Sequence, residues 1–226
     1  MNLVASIDEM LARAALPAWR ERTAAMRAAF EKRTGVARPQ SDREGLAPSE
    51  RWEGLEGGFF EARSAAFWDD ALTRGAFGRA LASEITEEAR GAVEPLACAH
   101  RGIFRVEASD AAGAFILVDE WSGAEFAAHP TTAGLRDALA CAASLVDGRV
   151  VGLRDGARIE LLAGAVFHAA DALEPMRALL PEARARGLET HDLCDALLRM
   201  DHALRSLSRV KAAFAYRKEA LPAQKI

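Results

Sequence analysis

The run RVVGLRDGARIELL, residues 149–162, holds two apolar stretches around the pair Asp155–Gly156, and its reading decides the fold class. Asp-Gly between two expected strands, residues 149–154 and 157–162, is a two-residue hairpin signal, because Gly156 accepts the positive φ that a type I′ turn demands. Working outward, residues 102–108 put Phe104 and Val106 on one face and Arg105 and Glu107 on the other, the alternation of a half-buried strand. Residues 114–121, AFILVDEW, are nearly all apolar and read as a central strand. Ser122–Gly123 then offers a tight turn into residues 124–128, and residues 165–168 add a last short strand. Residues 131–143 interrupt the series as a loop or short helix. Five or six short strands over 102–168 predict a small antiparallel β-barrel or curled sheet within an α+β chain.

Helices flank it on both sides. Ser6 and Glu9 have capping-box spacing ahead of Ile7, Met10, Leu11 and Ala14. Pro17 ends that helix and opens a second, which carries Trp19, Met26 and Phe30 on one face and stops at Gly35. Residues 1–35 thus form an N-terminal helical segment. Residues 36–58 hold Pro39, Pro48, several glycines and no period, and read as an irregular linker or loop. Eight acidic and three basic side chains between Gln40 and Asp70 either fold back on the basic second helix or stay solvated.

An α+β domain follows over 59–226, with helices across 59–92, strands across 102–168 and helices across 171–218. Phe60, Phe67 and Trp68 are the expected core of the helix at 59–73, and Phe77, Leu81, Ile85 and Ala89 mark another at four-residue steps. Pro95 closes the helical half. Asp171 and Glu174 have capping-box spacing, and Pro181 kinks or restarts the helix they open. In the last helix, 190–218, Thr190 is the expected N-cap, and Leu193, Leu197, Met200, Leu204, Leu207 and Phe214 form one apolar stripe. Small residues flank the stripe, so it is expected to pack on its own protein rather than in a charged zipper.

At 226 residues, half of them apolar and about a quarter charged, the composition is that of a globular protein. A net charge of −4 argues against non-specific polyanion binding by the chain as a whole. The first ten residues lack a basic n-region, and no apolar run approaches 18 residues, so neither export signal nor membrane span is expected. Cys98, Cys141 and Cys194 are far apart and read as free buried thiols of a reducing cytoplasm. Four Lys against 25 Arg suggest a GC-rich bacterial genome.

No phosphate loop, dinucleotide fingerprint, HExxH, paired CxxC or GxSxG elbow is present. His191, Asp192 and Asp195, with Glu189, sit at metal-ligand spacing, but acidic residues at a helix start and an Asp195–Arg199 pair explain them more simply. Asp171 reads as an N-cap and His168 as a partly buried polar residue; Cys98 and His100 lack an orienting third group. No catalytic, cofactor or metal residue is therefore assigned. The remaining signal is basic: Arg205, Arg209, Lys211, Arg217 and Lys218, with Tyr216 available to stack on bases and Trp121 a second surface aromatic. The sequence favours a non-catalytic cytoplasmic interaction or regulatory protein. Its partner would be another protein or a second copy. Nucleic-acid binding through the basic helix face is the alternative, and an enzyme with a dispersed site the third.

Overall fold

The computed structural model describes residues 2–35, 57–75, 77–109, 113–153, 158–206 and 211–223, with side chains left aside at 57–60 and 206. The linker read at 36–58, the Asp155–Gly156 turn, Leu207 and Arg209 fall outside those limits, Gly57 and Gly58 excepted as helical backbone.

Two helices lead, α1 (Leu3–Ala14) and α2 (Arg20–Thr34), joined by a 3₁₀ turn at Pro17–Trp19. Asn2, not Ser6, caps α1 by accepting the Ala5 amide, and Ser6 is buried with its hydroxyl on the Asn2 carbonyl. Glu9 instead accepts from the Thr86 backbone and hydroxyl, each at 2.7 Å. Gly35 ends α2 at φ +86°. Then come α3 (Gly57–Thr73), three short helices α4 (Phe77–Leu81), α5 (Glu87–Arg90) and α6 (Val93–Ala97), and the strands. The single helix expected from Phe77 to Ala89 is broken because Thr86 caps a new start, yet Phe77, Leu81, Ile85 and Ala89 are all buried. Pro95 lies inside α6.

The strands are β1 (His100–Ser109), β2 (Phe115–Asp119), β3 (Glu125–Pro130), β4 (Val146–Gly152), β5 (Ile159–Leu161) and β6 (Val166–Phe167). Their order is β1-β2-β3-β5-β4, closed into a five-stranded barrel by β1–β4, with β6 added on β4. The expected barrel is present. One pairing departs from the all-antiparallel expectation: β3 and β5 are parallel, and α7 (Ala133–Ala140) lies in the crossover between β3 and β4. Phe104, Leu117, Val146, Val150 and Leu161 fill the interior. Gly102 and Gly148 make room there, since a Cβ on Gly102 would lie 2.7 Å from the Phe104 ring.

Two helical layers cover the outside. Leu3, Met10 and Phe30 share a core with Phe67, Phe77 and Leu96 on one side. On the other, α8 (Leu173–Ala185) and α9 (Thr190–Ser206) pack against Ile103 and Leu145. Helix α8 runs through Pro181 without restarting. No helix among the described residues is long and apolar enough to cross a membrane.

The expected last helix is shorter. Lys211 is extended (φ −70°, ψ 146°), which turns the chain so that α10 (Ala212–Ala215) lies back on α9. Phe214 of the expected apolar stripe is consequently 69% exposed, whereas Tyr216 is 3% exposed.

Candidate functional site

On β1 and β4 the residues Arg101, Ile103, Asp147 and Arg149 share the outward face, because Arg101 pairs with Arg149 and Ile103 with Asp147. Helices bury that face. Arg101 donates twice to Asp147, at 3.1 and 2.9 Å, and once to Asp195 of α9 at 2.6 Å. Arg149 reaches Asp70 of α3 at 2.9 Å, and Arg33 of α2 bridges Asp70 (2.5 Å) and Asp195 (2.9 Å). Arg74 adds a third arginine to Asp195 at 3.1 Å. Burial pushes the Asp195 carboxyl up, but Arg101, Arg33 and Arg74 together hold it below its usual range. Asp195 is therefore an ionic hub facing inward, not the partner of Arg199, which bonds the Arg33 and Ala220 carbonyls. A metal reading of His191, Asp192 and Asp195 loses Asp195 to these arginines. A hollow of about 220 Å³ opens over the network, lined by Arg33, Asp70 and Arg74.

Asp69 follows a different course from its neighbour. Consecutive residues on a helix point about 100° apart, so while Asp70 faces the arginines, Asp69 faces the segment after β5. There it accepts the Gly164 amide on Oδ2 at 2.8 Å, and its other oxygen has no partner among the described residues. Gly164 is required: a Cβ would lie 2.5 Å from that Oδ2 and 2.6 Å from the Ala65 backbone. Burial drives the Asp69 carboxyl up to about 7, against the pull of Arg149 and the Gly164 amide.

Asp69 lines the larger groove, of about 390 Å³. Its walls are Val4, Ile7 and Leu11 of α1, Ala65 and Trp68 of α3, and Ala163. Polar groups come from Asp8, Glu61, Ser64, Thr131 and Thr132; no Lys, Arg or His is among the described residues lining it. The Thr131 hydroxyl donates to the Leu161 carbonyl, and Thr132 Oγ1 accepts the Leu135 amide, so both are engaged by local backbone.

Compared with protein-family models, curated proteins and solved structures, the chain matches none.

The residues singled out from sequence are scattered. Tyr216, expected to stack on bases, is buried, with its hydroxyl 2.7 Å from His168 Nδ1 and 3.4 Å from Asp201. His168 is correspondingly buried rather than partly exposed, and burial lowers its tendency to protonate. Asp171 does not cap the helix that follows it: its carboxylate accepts the amide of Ala212, the first residue of α10, at 3.3 Å and fastens the returning chain. Arg205 is tied to Asp201 and to the Phe167 carbonyl. Lys211, Arg217 and Lys218 are exposed. Trp121 is half-buried beneath the Arg184 guanidinium, 4.8 Å from its ring centroid. Cys98 and Cys141 are exposed, contrary to expectation, because each follows the end of a short surface helix; Cys194 is buried. His100 does have an orienting partner that the sequence hid, Asp119 at 3.1 Å, which also accepts the Ser122 hydroxyl at 2.5 Å.

Neither Asp69 nor its groove was singled out from sequence. The groove joins residues more than 150 positions apart, and no local spacing marks it.

Proposed function

We propose that this protein is a non-catalytic binding or regulatory module and that the Asp69 groove holds its ligand. The observation that carries this reading is the groove itself: an apolar concavity with a buried, incompletely bonded carboxyl in its wall. Its volume falls in the range of small-molecule sites. Three free thiols, two of them exposed, fit a reducing compartment. The basic C-terminal face is a poorer candidate with Tyr216 turned inward.

One observation favours the enzyme reading: a carboxyl near 7 suits a general acid or base at neutral pH. A fragment screen by NMR separates the two. Binding should perturb Ile7, Leu11 and Trp68, and Ala65→Trp, which fills the groove, should remove it. Perturbations confined to other surfaces would overturn the site. Steady chemical conversion of a bound fragment, lost in Asp69→Asn, would replace the binding module with an enzyme.

A further inference from the structure

We propose that the Asp69 groove takes a small organic cation, a protonated primary amine on an apolar body. This rests on the groove being the binding site. Among the described residues the charged groups lining it are Asp8, Glu61 and Asp69, all of one sign, so an anionic ligand is repelled and a cation attracted. The decisive group is Asp69, 6% exposed, with one oxygen held by the Gly164 amide and the other unpartnered among the described residues. That free oxygen is not sealed off in the interior, so it can accept from a donor on a ligand in the groove, and a charge-assisted bond there is stronger than a neutral one. One free oxygen also selects the kind of cation. A guanidinium fork would add a second donor to the oxygen that already holds the Gly164 amide, whereas an ammonium needs only the free oxygen. Ile7, Leu11 and Trp68 supply walls for an apolar body.

Binding an ammonium requires the Asp69 carboxylate in its ionised form. The groups acting on it are the Gly164 amide, Arg149 and Asp147 of β4, and Asp70 of its own helix, with Asp8 of α1 and Glu61 of α3 bordering the groove. Affinity for an amine should therefore rise with pH up to about 7 and level off above it.

Calorimetric titration of the full chain with 2-phenylethylamine, 2-phenylethanol, phenylacetate and phenylguanidine tests the assignment. The amine should bind at least about tenfold more tightly than the alcohol or the guanidine, a gap of about 1.4 kcal/mol, and phenylacetate should give no heat. Asp69→Asn, which keeps an acceptor for Gly164, should lose the amine's advantage over the alcohol. In the unmodified protein the amine's affinity should fall about tenfold per pH unit below neutrality. Equal binding of amine and alcohol, a flat pH profile, or no amine binding would overturn the ligand class. Fragments that still occupy the groove and leave on Ala65→Trp would, in those cases, keep the site. Loss of both results would remove the groove altogether.

Discussion

Arg101 and Arg149 stand directly opposite one another on β1 and β4, two like charges each 2% exposed. Such a pair survives only because Asp147, Asp195 and Asp70 surround it. The consequences differ for the two. Burial lowers Arg101's hold on its proton but its carboxylates more than restore it, whereas burial and the Arg101 charge leave Arg149 below its ordinary range. The network ties α2, α3 and α9 to one face of the barrel. Buried pairs of this kind add less to stability than an apolar core of the same volume, but breaking one is costly.

Asp195→Ala is therefore expected to destabilise the protein by about 3–5 kcal/mol, since Arg101 keeps only Asp147 and stays buried. Urea unfolding at pH 7 measures this. A loss below about 1 kcal/mol, the range of an exposed pair, would mean that water reaches the network.

Asp69 sets a pH dependence of opposite sign to that of Asp195. Its carboxyl is at about 7 when folded against 3.8 for a free side chain, so the folded state holds a proton that the unfolded chain has released between those values. Its stabilising effect is complete below about 4 and is lost as pH rises to about 7. The unfolding midpoint in urea should fall from pH 5 to pH 8 in the unmodified protein and fall less in Asp69→Asn. The same decline in both would assign it to other groups. The low value of Asp195 acts the other way, its stabilising effect being lost as pH falls through the acid range.

Gly164→Ala should cost about 1–3 kcal/mol, because its methyl meets the Ala65 backbone at 2.6 Å and that backbone cannot rotate away. Thermal melting compares it with Gly134→Ala, where a Cβ meets nothing within 4 Å. Equal melting temperatures would show that α3 shifts freely.

Arg205→Glu tests the reassigned C-terminal face. The sequence alone places Arg205 outward, where charge reversal changes stability by no more than about 0.5 kcal/mol. In the structure it pairs with Asp201, itself 1% exposed, at 2.8 Å, so reversal sets two carboxylates together and should cost about 2 kcal/mol or more. Tyr216→Phe, which removes the hydroxyl between His168 and Asp201, should cost about 1–3 kcal/mol. Denaturant titration of both variants checks this, and neutral results would return Arg205 to the solvent-exposed set.

The sequence alone determined the local elements: the strand alternation at Phe104 and Val106, the Ser122–Gly123 turn with its +76° glycine, and the burial of Phe77, Leu81, Ile85 and Ala89, though not the single helix that their spacing predicts. Those patterns act over a few residues, and backbone geometry reads them directly. Only the tertiary structure decided that the alternation at Arg101 and Arg149 ends in buried charge, because helices from three distant segments cover that face and bring the carboxylates with them. It also decided that Tyr216 turns in towards His168, 48 positions away, and that Asp69 meets Gly164, 95 positions away. A side chain's polarity is fixed by its sequence, but the cost of burying it depends on which partners the packed chain delivers.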